Sequence, residues 1–96
     1  MEILLEEYCK DAIILDGFDE AIIGVVEVFG GGRRILYDKS KIMNILTKEN
    51  PMTWSEAEEY YDFNILGGYF GELNPVFLDT EVIPHLQEDG KVKFKI

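Results

Sequence analysis

The sequence predicts an α+β fold, a small antiparallel sheet packed by two main helices, and three observations carry that expectation. A β-branched run, "AIIGVVEVF" at 21–29, is followed by three glycines and a second apolar run. Apolar residues at helical spacing follow in 39–49. A capping signature then opens another helical stretch at 54–65. With 96 residues, 47% of them hydrophobic, the chain has apolar area for one core and is read as a single domain over 1–96.

The elements follow in order. In "MEILLEEYCKDAIIL", Ile3, Leu4, Leu5 and Tyr8 suit a short helix whereas "AIIL" suits a strand; a helix comes first in this reading, with a turn at "DGFD". Gly30, Gly31 and Gly32 supply the positive φ angles of a tight hairpin loop, so strands are expected at 21–29 and 33–37. Asp38 is placed to cap "KSKIMNILTKE", where Ile42, Ile45 and Leu46 share a face, and Asn50-Pro51 should end that helix.

Thr53 and Glu56 have the spacing of a capping box. Beyond them Trp54, Ala57, Tyr61 and Ile65 form a narrow apolar stripe. At about 100° per residue, Glu56, Glu59 and Asp62 point away from that stripe and Phe63 falls nearly opposite Trp54. Trp54, Tyr61 and Phe77 are expected inside, while Tyr60, Phe63 and Phe70 are undecided between core and surface. Gly67-Gly68 should stop the helix with one glycine in the left-handed conformation. A third strand at 75–78 belongs at an edge, because Pro75 has no N–H for a ladder. "TEVIPHLQEDGKVKF" suggests an irregular or helical turn and then a strand at 91–95, with Val92 and Phe94 inward and lysines outward.

Charge narrows the function. The net charge of −10 argues against gripping phosphate backbones through a basic surface. Residues 49–90 contain ten acids and no Lys or Arg, a distribution suited to a one-sided negative face. Arg33 and Arg34 are expected to pair with acids. Cys9 is alone, so neither an intramolecular disulfide nor a cysteine-rich zinc site can form. The acidic start "MEILLEEYCKD" is unlike a secretory signal, and no apolar run approaches the roughly 20 residues that span a bilayer. A cytoplasmic protein without cofactor, metal or membrane span is expected.

Rings at the end of an acidic helix, bordered by glycine and proline turns, have the composition of an interface centre with a charged rim. The candidate partner-binding residues are Glu56, Glu59, Asp62, Phe63, Tyr69, Phe70 and Glu72, and the expected function is non-enzymatic modulation of a protein partner. Three alternatives stand beside it. An acidic mimic of nucleic acid would occupy the groove of a DNA- or RNA-binding protein. A small metal-dependent hydrolase would use Asp16, Asp19 or Glu20 with Asp38 or Asp62. A self-associating protein would use edge strands at 75–78 and 91–95.

The segments "LDGFDEAIIGVVEVFG", "ILYDKSKIMNIL" and "SEAEEYYDFNILGGYFGELNPVF" resemble a group of short acidic proteins encoded by bacteriophages. The resemblance covers about residues 15–78. It implies a viral accessory protein acting inside a bacterial host, and it transfers neither an activity nor functional residues.

Overall fold

The structure, a computed structural model, describes residues 1–49 and 51–95. It is α+β. A helical turn α1 (Leu5–Tyr8) and a 3-10 turn (Asp19–Ala21) precede strands β1 (Ile22–Val28) and β2 (Gly32–Asp38). Helices α2 (Lys39–Lys48) and α3 (Trp54–Tyr60) follow, and α3 runs on as a π-helical turn over Tyr61–Leu66. Three short strands close the chain: β3 (Val76–Leu78), β4 (Ile83–Leu86) and β5 (Val92–Lys95).

The N-terminal helix is shorter than the spacing of its apolar residues suggests. Cys9 caps it after one turn, and Asp11 then adopts a positive φ of 68° that no helix continues through. The segment 12–15 runs on without strand pairing, with Leu15 buried.

β1 and β2 form the expected antiparallel hairpin, with Gly30 and Gly32 at φ 72° and 76°. β3 lies beside β2 but parallel to it, so the sheet β1-β2-β3 is mixed rather than antiparallel. The cause is the connection. Two helices and their loops carry the chain back before β3 begins, and a return of that length permits a parallel neighbour where a tight hairpin cannot. Strand 92–95 does not join this sheet; it pairs with β4 in a separate ribbon, where an irregular or helical turn was expected for part of the segment.

Both helices start as their caps predict. The Asp38 carboxylate accepts the N–H of Ser40 at 2.9 Å, and Thr53 and Glu56 exchange hydrogen bonds at 3.0 and 3.2 Å. Lys48 is the last residue of α2; Asn50, expected to end it, lies outside the described residues.

The core sits between the helices and one face of the three-stranded sheet. Ile42, Met43 and Leu46 from α2 meet Ile35 and Tyr37 from β2 and Ala57, Tyr61 and Ile65 from the third helical segment. Packed against this core, the half-buried Phe77 ring stacks on Tyr37 at 5.9 Å and meets Tyr61 edge-on at 5.6 Å. Trp54, expected inside, is 49% exposed. It is the first residue after the cap, so the stripe it begins reaches the core only from Ala57 onward.

Among the described residues Arg33 pairs with no acid, contrary to expectation. Its guanidinium lies 4.2 Å from the centre of the Tyr8 ring and donates to the Tyr8 carbonyl at 3.3 Å, tying α1 to the hairpin.

The ribbon of β4 and β5 stands apart from this core, and all its described strand residues are exposed. The radius of gyration, 15.5 Å, exceeds the ~13 Å of a compact domain of about this length, in keeping with a projecting element. The expected alternation is present, but Val92 and Phe94 face no body and are not inward. No helix among the described residues is long and apolar enough to cross a membrane.

Candidate acidic and aromatic interface

A π-helical turn ends the helical segment that carries the Tyr60 and Phe63 rings. Gly67 N–H donates to the Asp62 carbonyl five residues back at 3.0 Å, which widens the helix by one residue. Tyr61 and Ile65 stay buried through it, while Phe63, already opposite that face at ordinary helical spacing, stands 74% exposed. This settles the position of Phe63, undecided from the sequence, as a surface ring.

Phe63 borders a surface groove of about 460 Å³ lined by Met52, Glu56, Glu59, Tyr60, Phe63 and Asn64. Glu56 and Glu59 are three residues apart, and Tyr60 and Phe63 follow each of them by four, so two carboxylates and then two rings succeed one another along one side of the helix. None of the lining residues is basic. Glu56 is held in place by the capping box, and the hydrogen bond from the Thr53 backbone, with the Thr53 hydroxyl second, lowers its pKa below the usual carboxylate range. Its charge therefore persists at neutral pH.

Of the seven candidate residues, three (Glu56, Glu59 and Phe63) line this groove. Asp62 is not among the residues that line it. Burial first, then the charges of Asp62 and Asp79, push the Tyr61 hydroxyl up to about 12. The Lys39 ammonium lies 5.1 Å from the centre of the same ring. Tyr69, 78% exposed, and Glu72 lie on the turn after the helix and are not part of the groove lining.

Phe70 folds back on that turn. A methyl group on Gly68 would come within 2.8 Å of its ring, so the ring occupies the space that glycine leaves. Asn74 fixes the arrangement by accepting the Phe70 N–H at 2.9 Å and donating to the Gly68 carbonyl at 3.1 Å. Neither Gly67 (φ −81°) nor Gly68 is left-handed, contrary to the expected helix stop. Glycine is needed there for closeness: a methyl on Gly67 would lie 2.7 Å from the Asp62 carbonyl oxygen.

Met52 and Asn64 are groove residues that sequence reasoning missed. For Met52 a signal existed, since it occupies the position before the cap that forms a hydrophobic staple with the fourth helical residue, Ala57. For Asn64 the signal was its spacing, four residues after Tyr60 and eight after Glu56 on the same side of the helix.

The carboxylates proposed for a hydrolase do not converge. Asp38 caps α2, and Glu20 lines a separate cavity of about 330 Å³ together with Lys41 and Lys48. Among the described residues no group of three or more His, Cys, Asp or Glu side chains is placed to hold a metal ion.

No family model, curated protein or solved structure matches the chain. Function therefore rests on what the groove and its surroundings can do.

Proposed function

We propose that this chain is a non-enzymatic accessory protein that binds another protein through the groove beside α3. The observation that carries the reading is Phe63, a large ring 74% exposed that lines the groove together with Glu56 and Glu59. Exposed rings supply the desolvated centre of an interface, and Glu56 and Glu59 would steer a basic surface toward it and fix its register. The resemblance to phage-encoded proteins adds a place of action, the cytoplasm of a bacterial host. Tagged chain and its Phe63→Ala variant, incubated with bacterial lysate at low and high salt, test this. A stoichiometric protein retained at high salt by the parent and lost from the variant supports it. Equal retention by both rejects the groove, and salt-labile capture of nucleic-acid enzymes would indicate charge mimicry instead.

A second reading, self-association, is favoured by the ribbon. Residues opposite one another in an antiparallel pair share a face, so the pairs Pro84 with Phe94 and Leu86 with Val92 build one wholly apolar side. Light scattering over a concentration series tests it. A monomer at every concentration removes it.

A further inference from the structure

We infer that the occupant of the groove beside α3 is an arginine side chain presented by the partner protein, an inference that rests on the protein-binding reading. Charge complementarity is the first argument. The groove offers two carboxylates and two rings, and none of its lining residues is a cation. A neutral or acidic partner would leave Glu56 and Glu59 crowded against apolar surface without a counter-charge, which a binding interface avoids.

Geometry then selects among cations. One oxygen of Glu56 already accepts the Thr53 N–H at 3.0 Å, so the other is the free acceptor, and Glu59 presents its own about one helical turn further on. Tyr60 and Phe63 follow them, each by four residues. A guanidinium is planar, carries five donors in a rigid fork and is weakly hydrated, so it can bridge two carboxylates while its face lies on a ring. A lysine ammonium is a compact, strongly hydrated point charge and makes only one of these contacts well. The chain uses the same chemistry internally, with the Arg33 guanidinium 4.2 Å from the centre of the Tyr8 ring.

Three short peptides serve as probes: acetyl-Gly-Arg-Gly-amide, its lysine counterpart and its citrulline counterpart, which keeps the planar shape and loses the charge. Each is titrated into the 15N-labelled full chain and followed by amide chemical shifts. The arginine peptide is expected to give saturable shifts centred on 56–64, to bind more tightly than the lysine peptide, and to outbind the citrulline peptide by a wide margin. Phe63→Leu, an exposed change that leaves the fold intact, should weaken the arginine peptide about two- to fivefold, the size of an exposed cation–π contact.

Equal binding of lysine and arginine, shifts spread over the acids at 79–89, or indifference to Phe63→Leu would each overturn the inference. Such a result would leave the protein-binding reading standing if lysate capture still depended on Phe63. Loss of that dependence would remove the reading itself.

Discussion

The hydroxyl oxygen of Tyr37, on β2, accepts the backbone N–H of Leu15 at 2.7 Å across 22 positions of chain. Both residues are buried, and the contact joins the irregular N-terminal segment to the centre of the sheet. A second contact, from Ile13 N–H to the Leu73 carbonyl at 3.2 Å, ties the same segment to the turn that follows the π-helical residues. The first 15 residues are therefore part of the fold, although only one turn of them is helical.

Tyr37→Phe keeps the ring against Phe77 and removes only the acceptor. It leaves a buried N–H unsatisfied, which costs about 1–3 kcal/mol. Urea unfolding of the variant should show that loss, and the Leu15 amide should lose its hydrogen-exchange protection. Unchanged protection at Leu15 would mean that another acceptor replaces the hydroxyl.

Alkaline pH should unfold the protein through its buried tyrosines. Burial is the chief cause that raises Tyr61 to about 12, from an unfolded value of 10.0. Burial also raises Tyr37, against the lowering effect of its hydrogen bond to Leu15. A group whose folded pKa is raised contributes its full stability below the unfolded value and loses it as pH rises through the folded one. Stability should thus be level up to pH 10 and fall between 10 and about 12. Tyr61→Phe should flatten that decline, as read from urea midpoints across the range.

Local signals were the legible ones. Asp38, Thr53 and Glu56 cap their helices because capping depends on neighbours a few residues away, and the glycines at 30–32 turn the hairpin for the same reason. Trp54 was misread because a stripe on a helical wheel does not say where along the helix the core begins. The parallel placement of β3 depends on how two helices pack, which no window of sequence contains. In the groove, the outward direction of Glu56 and Glu59 was readable from helical spacing. The hydrogen bond from Gly67 back to Asp62 that makes the π-helical turn was not, since no residue spacing in 61–67 marks it.

The turn after that helix depends on Asn74 and on the absence of a side chain at residue 68. Asn74→Ala deletes both side-chain hydrogen bonds of the turn and should cost about 1–2 kcal/mol, with Phe70 becoming mobile. Gly68→Ala forces a methyl against the Phe70 ring and the Asn64 carbonyl, each under 3.0 Å away, and should cost about 1–3 kcal/mol. Thermal melts give the totals. The double variant Gly68→Ala/Phe70→Ala should recover part of the glycine penalty, because the ring is the flexible half of the clash. No recovery would place the whole cost on the Asn64 carbonyl.

The ribbon of β4 and β5 should open independently of the body. Two paired strands with no covering layer are marginally stable in water, and this pair keeps its apolar face of Pro84, Leu86, Val92 and Phe94 in solvent. Its turn is held by the Gln87 N–H donating to the Lys91 carbonyl at 2.7 Å and by the Asp89 carboxylate accepting the Lys91 N–H at 2.9 Å. Amides of 83–95 should therefore exchange far faster than those of β1 and β2, since local opening needs much less free energy than global unfolding. Phe94→Ser should change the main unfolding midpoint by no more than about 0.5 kcal/mol, as for an exposed position. A larger loss, together with a midpoint that rises with protein concentration in the parent chain, would mean that a second copy covers this face.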